Sequence, residues 1–276
     1  MTIEKAYGSF SPISQTLEEI LKRAAAKKLS TLLFLNKKSE SGSIYCKSCK
    51  SHTIVPKQVD VCPNCGSADI YFNSVNINSL TKTLNSKLST LNSLDIQTAA
   101  AFYKLLPKKY DVAVHVKTDS VLNFPDFASS EKLYAQITNL KKLAKKLVVL
   151  QTYNPDSPVI KNAVSSNYSG FYNEELVQRK TFSYPPFALL IKITISGKNA
   201  EDKSEKLVED LKQSTINNQQ LTILGPYLAN LRYNIILKLP LPNYSLATRT
   251  KTLEKLKKHL PKEKGIKIIV EPNTLL

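Results

Sequence analysis

Four cysteines constrain this chain more than any other feature. They are the only ones in 276 residues, and they fall as C-x2-C-x12-C-x2-C: Cys46, Cys49, Cys62 and Cys65 in YCKSCKSHTIVPKQVDVCPNCGS. A CxxC knuckle turns two sulfurs toward one point. Two knuckles supply the four thiolates of a closed tetrahedral Zn²⁺ shell. The spacing therefore predicts one structural zinc ion pinning an inserted hairpin over 44–68. A closed shell leaves no position for a reactive water, so the ion is expected to hold structure and do no chemistry. Disulfides and an iron–sulfur centre would use the same residues, and a reducing compartment disfavours the first. Lys47 and Lys50 offset thiolate charge beside the first knuckle. Pro63 and Gly66 suit tight turns, and His52 reads as a loop residue.

The glycines exclude several chemistries. No two of the seven lie closer than Gly42 and Gly66. Phosphate cradles and dinucleotide turns need glycines a few residues apart, because backbone must approach phosphate closely. No GxSxG elbow or HExxH helix is present, and His52, His115 and His259 are far apart. The chain carries no recognisable apparatus for NTP hydrolysis, hydride transfer or hydrolysis.

Apolar periodicity divides the rest. ISQTLEEILKRAAAKK after Ser11-Pro12 reads as a capped helix with Ile13, Leu17, Leu21 and Ala24 on one face. TLLFL, IYF, DVAVHV and KLVVLQTY read as strands. Leu80, Leu84, Leu88 and Leu91 stripe one helix, and a second is expected over 95–106. Ser129 or Ser130 caps a helix expected to reach about 146, with Leu133, Ile137, Leu140, Ala144 and Leu147 inward. Strands alternating with helices argue for a mainly parallel α/β sheet. A linking helix is expected over about 156–180, with Tyr168, Phe171, Tyr172 and Leu176 at helical spacing. Beyond 188 the pattern is β-α-β-β-α-β, the ferredoxin-like arrangement. Its strands are ALLIKITIS, LTILG (broken at Gly225-Pro226), RYNIILKL and IKIIVE. The expected domains are 1–160, a helical linker at 161–187, and 188–276.

The net charge is +17, from 39 basic and 22 acidic side chains. Such a surplus favours polyanionic partners, although a lysine-rich solvated surface gives the same number. Only four of the basic residues are arginine, so nucleic-acid contacts should be to phosphate and not to guanine edges. The N-terminus lacks the basic stretch and apolar core of a signal peptide. No apolar run approaches the ~20 residues of a membrane helix. A cytoplasmic protein without membrane partners is the expectation.

Several stretches together resemble the C-terminal half of the PriA family, the replication-restart DNA helicases of bacteria. FYNEELVQRKTFSYPPF (171–187) is the most specific. It is similar to the family's segment linking the second helicase lobe to the C-terminal domain. VVLQTYNPDSPVI (148–160), DVAVHVKTDSVLNFPDFASSEKLYAQ (111–136), LTILGPYLANLRYNIILKLP (221–240) and IKIIVEPNTLL (266–276) support it by order and spacing. The resemblance runs from about residue 9 onward. It implies a degenerate RecA-like second helicase lobe with an inserted zinc hairpin, then a ferredoxin-like domain.

The departures are informative. The family has four CxxC pairs on two ions; YCKSC resembles the first pair and CPNCGS the last, so one complete site should survive. No stretch matches the family's N-terminal DNA-binding domain, phosphate loop or acidic magnesium box. QTAAAFYKLL (97–106) stands where the second lobe usually reads GTQM…KG. AQITNLKKLAKKL (135–147) stands where the family has TQVAGRAGR. Gln136 is kept, Asn139 replaces a glycine, and Leu140 and Leu143 take the two arginine positions. Those arginines stabilise transferring phosphoryl charge, which leucine cannot do.

The resemblance and the charge together imply a zinc-containing protein of the primosome type that binds forked or single-stranded DNA and lacks ATPase motifs. Candidate phosphate contacts are Lys47, Lys50, Lys141, Lys142, Lys145, Lys146, Arg179, Lys180 and Arg232. Lys141, Lys142, Lys145 and Lys146 could equally be an ordinary solvated helix face. Tyr168, Phe171, Tyr172, Tyr184 and Phe187 offer base-stacking faces or core packing. Alternatives are one half of a split helicase completed by a separate chain, and a protein-docking module of the replication machinery without strong DNA binding.

Overall fold

TLLFL is apolar on both sides and flanked by polar residues, as a central parallel strand should be. In the computed structural model, β1 (Thr31–Leu35) is buried at every position. The model describes residues 12–36, 42–55, 59–73, 77–87, 94–98, 108–122, 126–213, 221–229, 231–261 and 263–275. The chain divides into two compact units, Met1–Asn123 with Glu131–Ser166, and Phe124–Ser130 with Asn167–Leu276.

The first unit is built on a parallel sheet ordered β5-β1-β6-β7, with β5 at Leu94–Thr98, β6 at Tyr110–His115 and β7 at Ala144–Leu150. Side chains alternate across it. Leu33 and Leu35 pack with Val112 and Val114 against helices α1 (Gln15–Ala26) and α2 (Ile77–Lys87). Leu32 and Phe34 pack with Tyr110 and Ala113 against α3 (Ser129–Leu143). The cap of α1 is Ser14, whose side chain accepts from the Leu17 amide, and Leu17, Leu21 and Ala24 are buried as expected. Each fully buried leucine here contributes about 2 kcal/mol of transfer free energy.

Between β1 and α2 lies a three-stranded antiparallel sheet ordered β3-β2-β4, with β2 at Gly42–Cys46, β3 at His52–Val55 and β4 at Ile70–Asn73. His52 opens β3 and is not a loop residue.

The second unit holds an antiparallel sheet ordered β11-β8-β10-β9. Its elements run β8 (Ala188–Ile195), α6 (Ala200–Gln213), β9 (Thr222–Ala229), β10 (Arg232–Pro240), α7 (Leu246–Lys257) and β11 (Ile266–Val270). Leu189, Ile191, Ile193 and Ile195 join Ile235, Leu237 and Leu239 on one face, under Leu207, Val208 and Leu211 of α6 and Leu256 of α7. The opposite face carries Leu190 and Ile236, packed with Leu275, Phe127, Tyr184 and Tyr227.

Several boundaries differ from expectation. Residues 95–98 form strand β5, not the start of a helix: pairing beside β1 lets Ile96 pack into the core, and tertiary packing overrides the local helical reading. Residues 99–106 of that expected helix, and Leu88 and Leu91, lie outside the described residues. Helix α3 stops at Leu143, and Ala144 begins β7. Lys145 and Lys146 are therefore strand residues, and Leu147 is 44% exposed instead of inward. The linking helix is two helices, α4 (Pro158–Ser165) and α5 (Tyr168–Thr181), separated by Ser166 in a left-handed conformation. Strand β9 continues through Gly225-Pro226, because a bulge opposite Asn234 and Ile236 absorbs the irregularity. Only glycine fits there: a Cβ on Gly225 would lie 2.6 Å from the Asn234 carbonyl oxygen.

Candidate metal centre and basic surface

Strand β2 delivers Cys46 at its end, and the tight turn after it delivers Cys49. The second knuckle sits before β4 and repeats the first. The Cys46 amide donates to the Ser51 carbonyl at 3.0 Å, and the Cys62 amide donates to the Ser67 carbonyl at 2.8 Å. Lys50 and Gly66, each following the second cysteine of its pair, both adopt positive φ, 58° and 72°. The hydroxyls of Ser48 and Ser67 meet at 2.8 Å and tie the knuckles together. Ser51 and Ser67 escaped the cysteine-spacing argument, yet CKSCKS and CPNCGS both carry a serine two residues after the second cysteine.

The four sulfurs lie within 4.8 Å of one another. Cys46 and Cys65 Sγ are 3.6 Å apart, and Cys49 and Cys62 Sγ 3.7 Å apart. A tetrahedral ion with sulfurs at about 2.3 Å requires them about 3.8 Å apart, so this donor set fits one divalent cation. Without an ion, four thiols this close cannot ionise together. The Ser51 hydroxyl and then Asn64 hold the Cys49 thiol down to about 5. Cys65 goes the other way: the Ser67 amide lowers it, but its hydrogen bond to Cys49 and burial push it up to about 12. A cation removes that conflict by favouring all four thiolates.

The residues aligned with the arginine motif sit elsewhere. Leu140 and Leu143 are fully buried beneath Leu32, Phe34, Tyr110 and Ala113. Gln136 lies at the carboxyl ends of β1 and β6, where it bonds His115 Nε2 at 3.2 Å and donates to Asn36 Oδ1 at 2.9 Å. Burial pushes His115 down to about 4, so the ring is neutral at pH 7, and it packs edge-on against Phe34. Beside it Gln151 donates to the Pro12 and Val116 carbonyls and accepts from the Ser14 amide. The strand-end polar cluster of Asn36, His115 and Gln151 carried no sequence signal, because its members are separated by a hundred residues and more.

The nominated basic residues divide into engaged and open groups. Lys141 donates to the Ala163 and Val164 carbonyls at 3.1 and 2.7 Å and to Ser166 Oγ, closing the end of α4. Lys146 pairs with Asp111 at 3.0 Å. That ammonium, then the Ser30 amide and hydroxyl, hold the Asp111 carboxyl at about 2. Lys47 pairs with Asp69 at 3.2 Å and lies 4.4 Å from the Tyr71 ring centroid. Arg179 bonds Glu175 at 2.8 Å and the Pro185 carbonyl at 3.3 Å, and lies over Phe127. Lys50, Lys142, Lys145, Lys180 and Arg232 are exposed. Among the aromatics, Phe171 is buried and Phe187 half-buried. Tyr184 stacks on Phe127 and carries the Lys238 ammonium 3.6 Å from its centroid. Tyr168 and Tyr172 are exposed and stack on each other at 6.0 Å. No helix among the described residues is long and apolar enough to cross a membrane.

A parallel α/β sheet interrupted by a four-cysteine hairpin and followed by a βαββαβ unit defines a metal-site α/β protein of at least two units. Its relatives are bacterial replication-restart proteins. Replication restart protein PriA of Borreliella burgdorferi is 27% identical over 311 residues, covering 90% of this chain and 47% of that protein. That of Synechocystis is 25% identical and covers 99% of this chain and 40% of its own length. That of Chlamydia pneumoniae is 35% identical over 92 residues, 32% of this chain and 12% of that protein. No protein-family model matches the chain. The chain is PriA-like across most of its length, and it spans less than half the length of each of these curated relatives.

Proposed function

We propose that this chain is a zinc-containing DNA-binding protein of the replication-restart type that does not hydrolyse ATP. We read residues 1–160 as a RecA-like helicase lobe with a zinc hairpin, 161–187 as its helical link, and 188–276 as a ferredoxin-like domain. The observation that carries the reading is PriA likeness over 90% of the chain or more. The sheet order β11-β8-β10-β9 supports the ferredoxin-like assignment. Zinc follows from an all-cysteine set at tetrahedral spacing, with Cys46, Cys49, Cys62 and Cys65 holding one ion whose role is to fix the hairpin. DNA follows from the +17 charge, carried mostly by lysine. Loss of ATP chemistry follows from Leu140 and Leu143, whose burial leaves no group there to meet a γ-phosphate. The protein works in the cytoplasm, on forked or single-stranded DNA, beside other primosome proteins.

Fluorescence anisotropy with zinc-loaded protein and forked, single-stranded and duplex DNA tests this. Preference for the fork or the single strand is the expected result. Equal, weak binding to all three would refute the DNA reading and favour a protein-docking module. Sustained DNA-stimulated ATP turnover with a separate first-lobe chain would favour the split-helicase reading.

A further inference from the structure

The cations that the sequence nominated are partly spent on internal contacts, which raises the question of where open positive charge gathers. Strand register answers it for the second unit. Thr194 of β8 lies between Lys267 of β11 and Asn234 of β10, and Arg232 precedes Asn234 by two residues on the same face. That face is the one not covered by α6 and α7, whose side chains pack on Ile193, Ile195 and Ile235. At this end the turn after β8 meets the turn before β11, through Ser196 donating to the Gly265 carbonyl at 2.9 Å. Lys198 and Lys264 flank those two joined residues. Arg232, Lys198, Lys264 and Lys267 are all exposed. Nearby carboxylates are occupied: Glu263 pairs with Lys203 at 3.6 Å, and Glu201 bonds Tyr233 on the helix-covered face.

We propose that this rim of the C-terminal sheet, formed by Arg232, Lys198, Lys264 and Lys267, is a phosphate-backbone contact surface for single-stranded DNA. Arg232 and Lys267 stand two strands across and two residues along from each other, about 12 Å apart by strand geometry. That distance corresponds to about three successive phosphates at the duplex rise per strand. Four cations with their carboxylate neighbours engaged elsewhere match a polyanion and nothing apolar. The proposal rests on the DNA-binding reading above, and it adds three residues, Lys198, Lys264 and Lys267, that neither the motifs nor the family likeness pointed to.

The test compares salt dependence of single-strand binding by the full chain and two variants of equal charge. One carries R232Q, K198Q, K264Q and K267Q. The other carries K22Q, K27Q, K28Q and K82Q, exposed positions on α1, after it and on α2 of the first unit. Loss of four phosphate contacts flattens the slope of log K against log salt by about 3. The rim variant should show that change, the control variant less than one unit, and the charge-retaining R232K, K198R, K264R and K267R variant none. Equal flattening in rim and control variants, or none in either, overturns the rim while leaving DNA binding intact. A wild-type chain that binds no DNA overturns both readings. Capture by anionic phosphatidylserine vesicles but not by DNA overturns the rim as a nucleic-acid surface.

Discussion

Returning arginine to positions 140 and 143 should wreck the first unit, not revive catalysis. Leu140 and Leu143 are both fully buried, facing Leu32, Phe34, Tyr110 and Ala113 of the central strands. Truncating one buried leucine to alanine removes its transfer free energy and leaves a cavity, together about 3 kcal/mol. A guanidinium in the same place forfeits the packing and is also an uncompensated buried charge, worth about 3–5 kcal/mol more. Domains are stable by only about 5–15 kcal/mol. Leu140→Ala should therefore lower the urea midpoint of the first transition by about 1.5 M, at a slope of about 2 kcal/mol/M. Leu140→Arg with Leu143→Arg should leave the unit unfolded in buffer. The chain has no tryptophan, so far-UV circular dichroism is the readout. Lys142→Ala, at an exposed position of the same helix, should stay within about 0.5 kcal/mol of wild type. A double-arginine variant that unfolds at the wild-type midpoint would mean these positions face solvent, and the packing argument would fail.

Three further outcomes are expected. Native mass spectrometry should find one zinc per chain, and Cys49→Ser or Cys62→Ser should lose it; metal should also be shed as pH falls and the thiolates protonate, and retention of a full equivalent by either variant would count against the four-cysteine shell. His115 is neutral in the fold and held down to about 4, against about 6.5 unfolded. Its contribution is fully present above pH 6.5 and is lost as pH falls toward 4, because the unfolded chain then binds the extra proton. His115→Asn should flatten the stability profile over that window, and an unchanged profile would assign it to other groups. Lys141→Ala should destabilise by about 1 kcal/mol through loss of its bonds to the end of α4, with single-strand affinity unchanged. A loss of affinity without loss of stability would instead make Lys141 a DNA contact.

Much of this was legible because the signals were local. The CxxC spacing located the sulfurs, since knuckle geometry is set within six residues, CKSCKS and CPNCGS. The alternation of ALLIKITI and RYNIILKL placed the second sheet, because one face had to be apolar. Failures came where distant partners decide. LDIQT became a strand because β1 offered it an edge, not because of its own propensity. AQITNLKKLAKKL looked like one long amphipathic helix, but β6 draws Ala144–Leu150 into a parallel pair, so the helix ends at Leu143. The roles of Lys141, Lys146 and Arg179 were equally out of reach, since their partners are carbonyls and carboxylates that only the fold brings near.

The account holds that DNA binding persists here without a nucleotide cycle. The most direct test is anisotropy of a labelled fork with zinc-loaded protein, over a salt series, with and without saturating ATP at equal free Mg²⁺. The predicted result is binding that weakens steeply with salt and is the same in both arms. Binding that shifts with ATP, or no salt-dependent binding in either arm, would contradict it.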